Sequence, residues 1–441
     1  MNLPQDHELP AIIREIVANA PKSRKVPAFI ASLSPLSALC SRVRLHYYYD
    51  SRPSALLLQV LIEGAQSSGK SFAADIESLI MDKTLKARDQ SMRRQEQEYR
   101  ELKKRRRANE KVGEEPQTTI RVVPATISKT VLTKRADMFQ RVHHDTLTFW
   151  MFAEELAQVT DAGKQGYSNL RTIMRTAYDL GSLFGIDFAS DNSYSAIVDI
   201  NICSMFCATP SAVDDYYDKK AIEGGNVTRC LLCPLSEDLG QEGAIFLPYT
   251  TEQQRRIDTM LNRLMAQTYD ENGGLQPVVD IDMTWLDKTV CRWIKQKGHE
   301  AALSGNKSLD VFRKRSSVTA FRVAALCYYL YSIEGAYDEA KMQKLSRQIY
   351  LYMADFTLES MLNRWGKAFS ELNQKRNLSH AAESKPILFE QLTSPFTRDQ
   401  LNLKIEELGL TTPSRVFLCM WRKMKVIREI DKNTFEKAMR Q

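Results

Sequence analysis

An apolar run that ends on a glycine sets the first limit on how this chain can fold. Leu56–Glu63 (LLLQVLIE) has the near-continuous apolar character of a central parallel strand. Directly after it stands Gly64-Ala65-Gln66-Ser67-Ser68-Gly69-Lys70-Ser71, which is the spacing GxxxxGKS. An amphipathic stretch follows and predicts a helix from Lys70 to about Leu85. Strand, glycine loop and helix in this order read as a P-loop. Glycines allow a tight turn that points backbone N–H groups at a phosphate chain, and the helix N-terminus adds partial positive charge. Gly64, Gln66, Ser67, Ser68 and Gly69 are thus expected to cradle the phosphates of ATP. Lys70 is expected on the β- and γ-phosphates, and the Ser71 hydroxyl on Mg²⁺.

A P-loop of this kind needs a second strand that ends in carboxylates. Leu147–Ala153 (LTFWMFA) runs into Glu154 and Glu155. Glu154 stands where a metal-holding acid is expected, and Glu155 where a general base for water is expected. The competing reading is that both acids only favour the dipole of the next helix. Paired glutamates suit hydrolysis better than phosphorylation of a small molecule. Thr209 ends the following apolar run and could position the attacking water, or simply terminate the strand before Pro210. Arg229 follows the Gly224-Gly225 turn and could reach a neighbouring subunit's nucleotide as a finger, which would require a homo-oligomer. The alternative for Arg229 is a surface charge at a strand start.

Strands alternate with helices over residues 56–235, which predicts an α/β fold: a mostly parallel sheet with helices on both faces, of the ASCE, RecA/AAA+-like P-loop NTPase class. Residues 1–55 read as a helical lead-in and 56–250 as the ATPase core, with a basic helical insertion at 86–111. The expected strands of the core are Leu56–Glu63, Thr118–Val123, Leu147–Ala153, Ala196–Ala208 and Thr228–Leu235. Residues 251–373 are expected to be all helical, and the polar stretch 374–385 is expected to be a linker. The tail, 386–441, predicts helices over Arg398–Leu408 and from Thr411 to Lys425, then a strand at Val426–Ile430. That is a winged helix-turn-helix order, with Arg415, Arg422, Lys423 and Lys425 as its basic residues. The alternative is a winged helix that contacts protein.

Charge matters here through its distribution. The chain carries +7 overall, yet residues 86–111 alone carry eleven Lys/Arg against five Asp/Glu. Such an arm can meet nucleic-acid phosphates, or can be a solvated helix that touches nothing. Cys203/Cys207 and Cys230/Cys233 lie within apolar runs, and strand alternation puts Cys230 and Cys233 on opposite faces. They read as buried thiols rather than zinc ligands, and His143-His144 stands apart in a turn. No apolar run is long enough to span a bilayer and no signal peptide is visible, so a cytoplasmic protein is expected. Arg313, Arg315 and Arg322, near or within an apolar helix, could reach phosphates from a lid or form surface salt bridges.

The order of LPAIIREI, VLIEGAQSSGKS, EQEYRELKKRRR, PATISKTVLTKRAD, FAEELA, CATPS, GGNVTRCLL and SSVTAFRVAAL resembles an uncharacterised P-loop ATPase, helicase-like family. That family is associated with primases on mobile genetic elements of Bacteroidetes. The likeness covers about residues 8–370. It implies a replicative, helicase-like ATPase acting on DNA, single-stranded or forked, with a separate primase as partner. Two departures stand out: relatives commonly have Asp-Glu where this chain has Glu154-Glu155, and many carry a primase region. The expectation is an ATP-driven motor or remodeller of DNA in replication of a mobile element. The alternative is a nucleotide-switched DNA-binding initiator or loader that hydrolyses slowly and does not translocate.

Overall fold

The computed structural model describes residues 2–48, 50–105, 113–164, 170–186, 194–236, 244–383, 386–407 and 413–438. It divides into two compact units, Met1–Trp365 and Gly366–Gln441. In the first, α1 (Ala11–Val17) and α2 (Lys25–Leu39) precede two short strands, β1 (Val43–His46) and β2 (Pro53–Ala55). β3 (Gln59–Glu63) passes through the glycine loop into α3 (Phe72–Met81), and α4 (Leu85–Arg105) follows. Then come β4 (Val122–Pro124), α5 (Lys129–His143), β5 (Thr148–Ala153), α6 (Leu156–Lys164) and α7 (Leu170–Thr176). A hairpin of β6 (Leu183–Ile186) and β7 (Ala196–Asp199) leads to β8 (Asn201–Ala208), α8 (Pro210–Tyr216), α9 (Lys219–Glu223) and β9 (Leu231–Pro234). The rest is α10 (Thr251–Ala266), β10 (Val279–Asp280), α11 (Asp287–Ser304), α12 (Lys307–Glu334) and α13 (Glu339–Glu383), within which the division falls.

The central sheet has the order β4-β5-β8-β3-β9, and every neighbouring pair is parallel. Its register explains why β3 reads as apolar throughout. Gln59 pairs with Ser204 and Trp150 with Cys203, so these two pairs face opposite ways. On one face Trp150 Nε1 donates to Glu77 of α3 at 2.9 Å. On the other, Gln59 Nε2 donates to the Met174 carbonyl of α7 at 2.8 Å. Helices therefore cover both faces, as the alternation of elements predicts, and β3 is buried along its length.

Several boundaries differ from the sequence reading. The strand begins at Gln59, not Leu56. Leu56 and Leu57 lie outside the ladder and give their carbonyls to the side chains of Ser37 and Arg322, while Leu58 O accepts from both Ser204 N of β8 and Ser34. The lead-in is not purely helical and not separate. β1 pairs with β2 and with β10, some 235 residues away, a pairing no local pattern reveals. α2 is buried from Pro27 to Leu39, because it is apolar on all sides and packs against β3 and β8. The run Ala196–Ala208 divides, since β7 turns away to pair antiparallel with β6. Val227–Arg229 forms a 3-10 turn, so the last strand opens at Leu231 rather than Thr228.

The basic insertion is only half an arm. Asp89, buried near the start of α4, accepts from the backbone N–H of Arg121 at 2.8 Å and Val122 at 2.7 Å. Glu96 takes Arg135 through two bonds, at 2.8 and 3.0 Å. α4 thus covers the edge strand β4, a common way to block unwanted pairing. Residues 106–112 of the expected insertion lie outside the described residues. The expected linker is also corrected, because α13 continues as helix to Glu383. The stretch from Gln374 contains no Gly or Pro before Pro386 and is rich in Lys, Arg, Leu, Ala and Glu, all good helix formers. No described helix is long and apolar enough to cross a membrane.

The second unit contains α14 (Pro386–Gln391), β11 (Phe396–Thr397), α15 (Arg398–Glu407), α16 (Ser414–Lys423), β12 (Ile427–Glu429) and β13 (Thr434–Lys437). The three strands form an antiparallel sheet in the order β11-β13-β12. Trp421, Phe396, Phe417 and Phe435 fill its core with Leu401 and Leu418. The helix-helix-strand order expected of the tail is present, and Gly409, Thr411 and Thr412 lie outside the described residues.

Arg121 ties the first unit together from within. It is 1% exposed and donates to Thr148 O at 2.9 Å, Tyr269 Oη at 3.1 Å and Ala38 O at 2.6 Å. Removing it strands three buried acceptors. Arg121→Ala is expected to cost about 3 kcal/mol or more, read as a lowered midpoint in thermal or urea unfolding. An unchanged midpoint would refute this role.

Candidate functional site

Three adjacent strands deliver the predicted residues to one edge of the sheet. β3, β8 and β5 are parallel, so their carboxyl ends lie side by side. They release, in turn, the loop Gly64–Ser71, Thr209 and the pair Glu154-Glu155. With about 4.8 Å between strands, the loop strand and the acid strand are about 10 Å apart. Burial pushes the Cys207 thiol at the end of β8 up to about 12.

The loop has the backbone geometry its composition predicts. Ser67 and Gly69 adopt left-handed φ values of 60° and 71°. For serine this is a strained conformation, of the kind that gathers at functional loops. Alternating handedness of this sort makes an anion-binding nest of successive N–H groups. The N–H groups of Gln66, Ser67, Gly69, Lys70 and Ser71, at the exposed face of the loop, donate to no protein acceptor and are open to a ligand or water. Gly64 N donates to Ala208 O at 3.0 Å, which pins the loop's base to β8. A Cβ on Gly64 would stand 2.3 Å from Ser68 Oγ, so the position requires glycine unless Ser68 moves. Lys70 Nζ donates to Gly64 O at 2.9 Å and Ala65 O at 2.7 Å, arching over the loop. Ser71 is exposed at the N-cap of α3.

Of the acids, Glu154 is exposed and Glu155 partly so, just ahead of α6. That position also satisfies the helix-dipole reading, and the two roles are compatible. Among the described residues no group of three or more His, Cys, Asp or Glu side chains could hold a metal unaided. A magnesium ion at this edge would have to take most of its oxygens from phosphate and water.

Thr209 sits beside the loop, at the end of β8, but its hydroxyl caps α8 by accepting from Ala212 N at 3.4 Å. Arg229 is not brought to the site. The register Val60↔Leu231 places it near the start of β3, at the opposite edge and about 15 Å from the loop. Its guanidinium turns inward, with Nη1 on Gly225 O at 3.2 Å and Nη2 3.8 Å from Asp179, over the Tyr178 ring. Arg229 therefore does not serve its own chain's loop, and the finger reading, which concerns a neighbouring subunit's nucleotide, stays a proposal. Arg322 and Arg315 approach the same Asp179, at 3.4 and 3.9 Å, and Arg313 bonds Asp310. None of the three forms a lid over the loop.

Two arginines that the sequence reading missed do meet the loop. Arg24, 2% exposed, donates to Ser68 O at 3.2 Å and Ser236 Oγ at 3.2 Å. Arg364, on α13, donates to both carboxylate oxygens of Glu63, at 2.8 and 3.1 Å. Its other arm reaches Pro210 O and Asp214. Glu63 immediately precedes Gly64, so this pair spans the base of the loop and the start of α8. No short-range pattern marks either arginine. A scan against protein-family models and a search of curated proteins find no match for this chain, and the family resemblance remains an expectation.

Burial raises the Glu63 carboxyl above its usual range, while Arg364 works in the opposite direction. Removing Arg364 therefore raises it further. A carboxyl whose folded pKa is raised favours folding while protonated, and that advantage is lost as pH rises through the folded value. Arg364→Ala is expected to cost about 2 kcal/mol at pH 8 and clearly less at pH 5, measured by urea unfolding at both. Adding Glu63→Gln should remove the difference; a pH-independent loss would refute the pairing.

Proposed function

We propose that this chain is an ATP-hydrolysing, helicase-like motor or remodeller that acts on DNA, assembled as a homo-oligomer. The observation that carries the reading is the alignment of the parallel strands β3, β8 and β5, which releases the Gly64–Ser71 loop, Thr209 and the Glu154-Glu155 pair at one carboxyl edge of the sheet. Open α/β sheets bind ligands at that edge. Further support comes from the strand order. β8 lies between the loop-bearing and acid-bearing strands, the additional strand of the ASCE class.

The chemistry follows from charge and reach. The five unpaired N–H groups and Lys70 would bind the β- and γ-phosphates, and magnesium would screen the charge that develops on them. Ser71 and Glu154 would hold that ion. Glu155 would accept a proton from a water aligned with the γ-phosphorus; the P–O bond to ADP breaks as the water oxygen bonds to phosphorus. Thr209, already committed to its helix cap, could still orient that water through a lone pair. The DNA part of the reading rests on the second unit, whose elements follow the order of a winged helix. Arg415 and Lys423 are exposed on α16, whereas Arg422 is paired with Glu429 at 2.6 Å.

The decisive measurement is steady-state ATP turnover with and without single-stranded DNA, for the native chain, Lys70→Ala and Glu155→Gln. Turnover raised by DNA, abolished by Lys70→Ala and lowered about 100-fold or more by Glu155→Gln is expected. Turnover insensitive to Glu155→Gln would sink the base assignment. Tight ATP binding without turnover would favour a nucleotide-switched initiator or loader.

A further inference from the structure

We propose that the outward face of α11 is a track for single-stranded DNA, gripped through its phosphates by Lys288, Arg292 and Lys295. This rests on the reading of DNA as the partner and adds the place where it lies.

α11 is a two-sided helix. Val290, Trp293 and Ala301 are buried on its inner side, and Trp293 Nε1 is anchored to Asp355 at 2.9 Å. At about 100° per residue, Lys288, Arg292, Lys295 and His299 fall within an arc of about 60° on the other side. Lys288, Arg292, Lys295 and His299 are exposed. Among the described residues, no ion pair or hydrogen bond engages Lys288, Arg292 or Lys295. These three line an open groove of about 780 Å³ together with Tyr48, Asp287, Cys291 and Gln296.

The other basic stretches are in part spent on acids. On α4, Glu96 takes Arg100 and Arg135, and Glu101 takes Arg105. On α16, Arg422 is spent on Glu429. Among the described residues Asp287 is the one acid in the α11 groove, and no ion pair ties it to the three cations. A row of cations spaced by one helical turn matches a polyanion of regular charge spacing. Proteins that bind single strands join such a row to an aromatic face on which a base can stack. Tyr48, half-buried and set edge-on to Tyr47 at 5.3 Å, supplies the ring in the same groove.

The test is fluorescence anisotropy of a labelled oligothymidylate with the full chain, across a salt series. The variants are Lys288→Gln/Arg292→Gln/Lys295→Gln and, for comparison, Arg415→Gln/Lys423→Gln on α16. Each phosphate contact contributes about 0.7 to the salt slope on a single strand. The α11 variant is expected to lose about 2 from that slope and at least tenfold in affinity at low salt. Its melting midpoint and its DNA-free ATP turnover should stay native, since the changed side chains are exposed. Native affinity and slope in the α11 variant, with binding lost only in the α16 variant, would overturn the track and leave the proposed function standing. A native chain that binds no oligonucleotide at any salt would overturn both.

Discussion

Parallel pairing of β3 between β8 and β9 is the constraint on which the rest depends. A parallel sheet aligns like ends, so three strands separated in sequence by 85 and 48 residues finish at one edge. Residues placed just past those ends become neighbours without any further device. The same pairing buries β3 on both faces and so demands apolar side chains. It also fixes the loop's base, because the hydrogen bond from Gly64 N to Ala208 O continues the ladder beyond the last paired residues. Loop, threonine and glutamates are positioned by backbone geometry first and by side chains second.

Support for that sheet reaches far along the chain, and arginine is the usual connector. Arg121 joins β5, α2 and the segment after α10. Arg322, from α12, bonds Leu57 O where the chain enters β3. Arg24 and Arg364 reach the loop from opposite ends of the first unit. In each case the planar guanidinium satisfies carbonyls or carboxylates that the strand ladders leave over. Lysine could not make the same forked contacts. This explains why residues 1–55, the parallel-sheet region and the helical region after residue 250 form one compact unit rather than three.

What was legible in the sequence follows from the range of the interactions. The loop, β5 with its two glutamates, and the tail helices depend on neighbours within about ten residues, and their patterns predict them well. β1, β2 and β10 depend on partners far away in sequence and escape such patterns. A buried arginine looks the same on paper as a solvated one, so no short-range pattern marks Arg24 or Arg364. The polar stretch after residue 373 shows the same limit in reverse. It reads as a linker from hydropathy alone, yet its helix-forming residues carry α13 to Glu383.

The balance of charge at the loop also says what kind of ligand the edge can accept. Unpaired amides and a lysine favour an anion, but two glutamates stand about two strand spacings away. A bare triphosphate would meet their repulsion. A lone divalent cation would meet only Ser71 and Glu154, too few oxygens to replace its water. An anion and a cation entering together cancel both objections, since the metal's charge satisfies the glutamates and its shell is completed by phosphate oxygens. Under the proposed function the edge would favour the pair over either member, and Lys70, bonded to the loop's own carbonyls, has donors it could redirect to that pair.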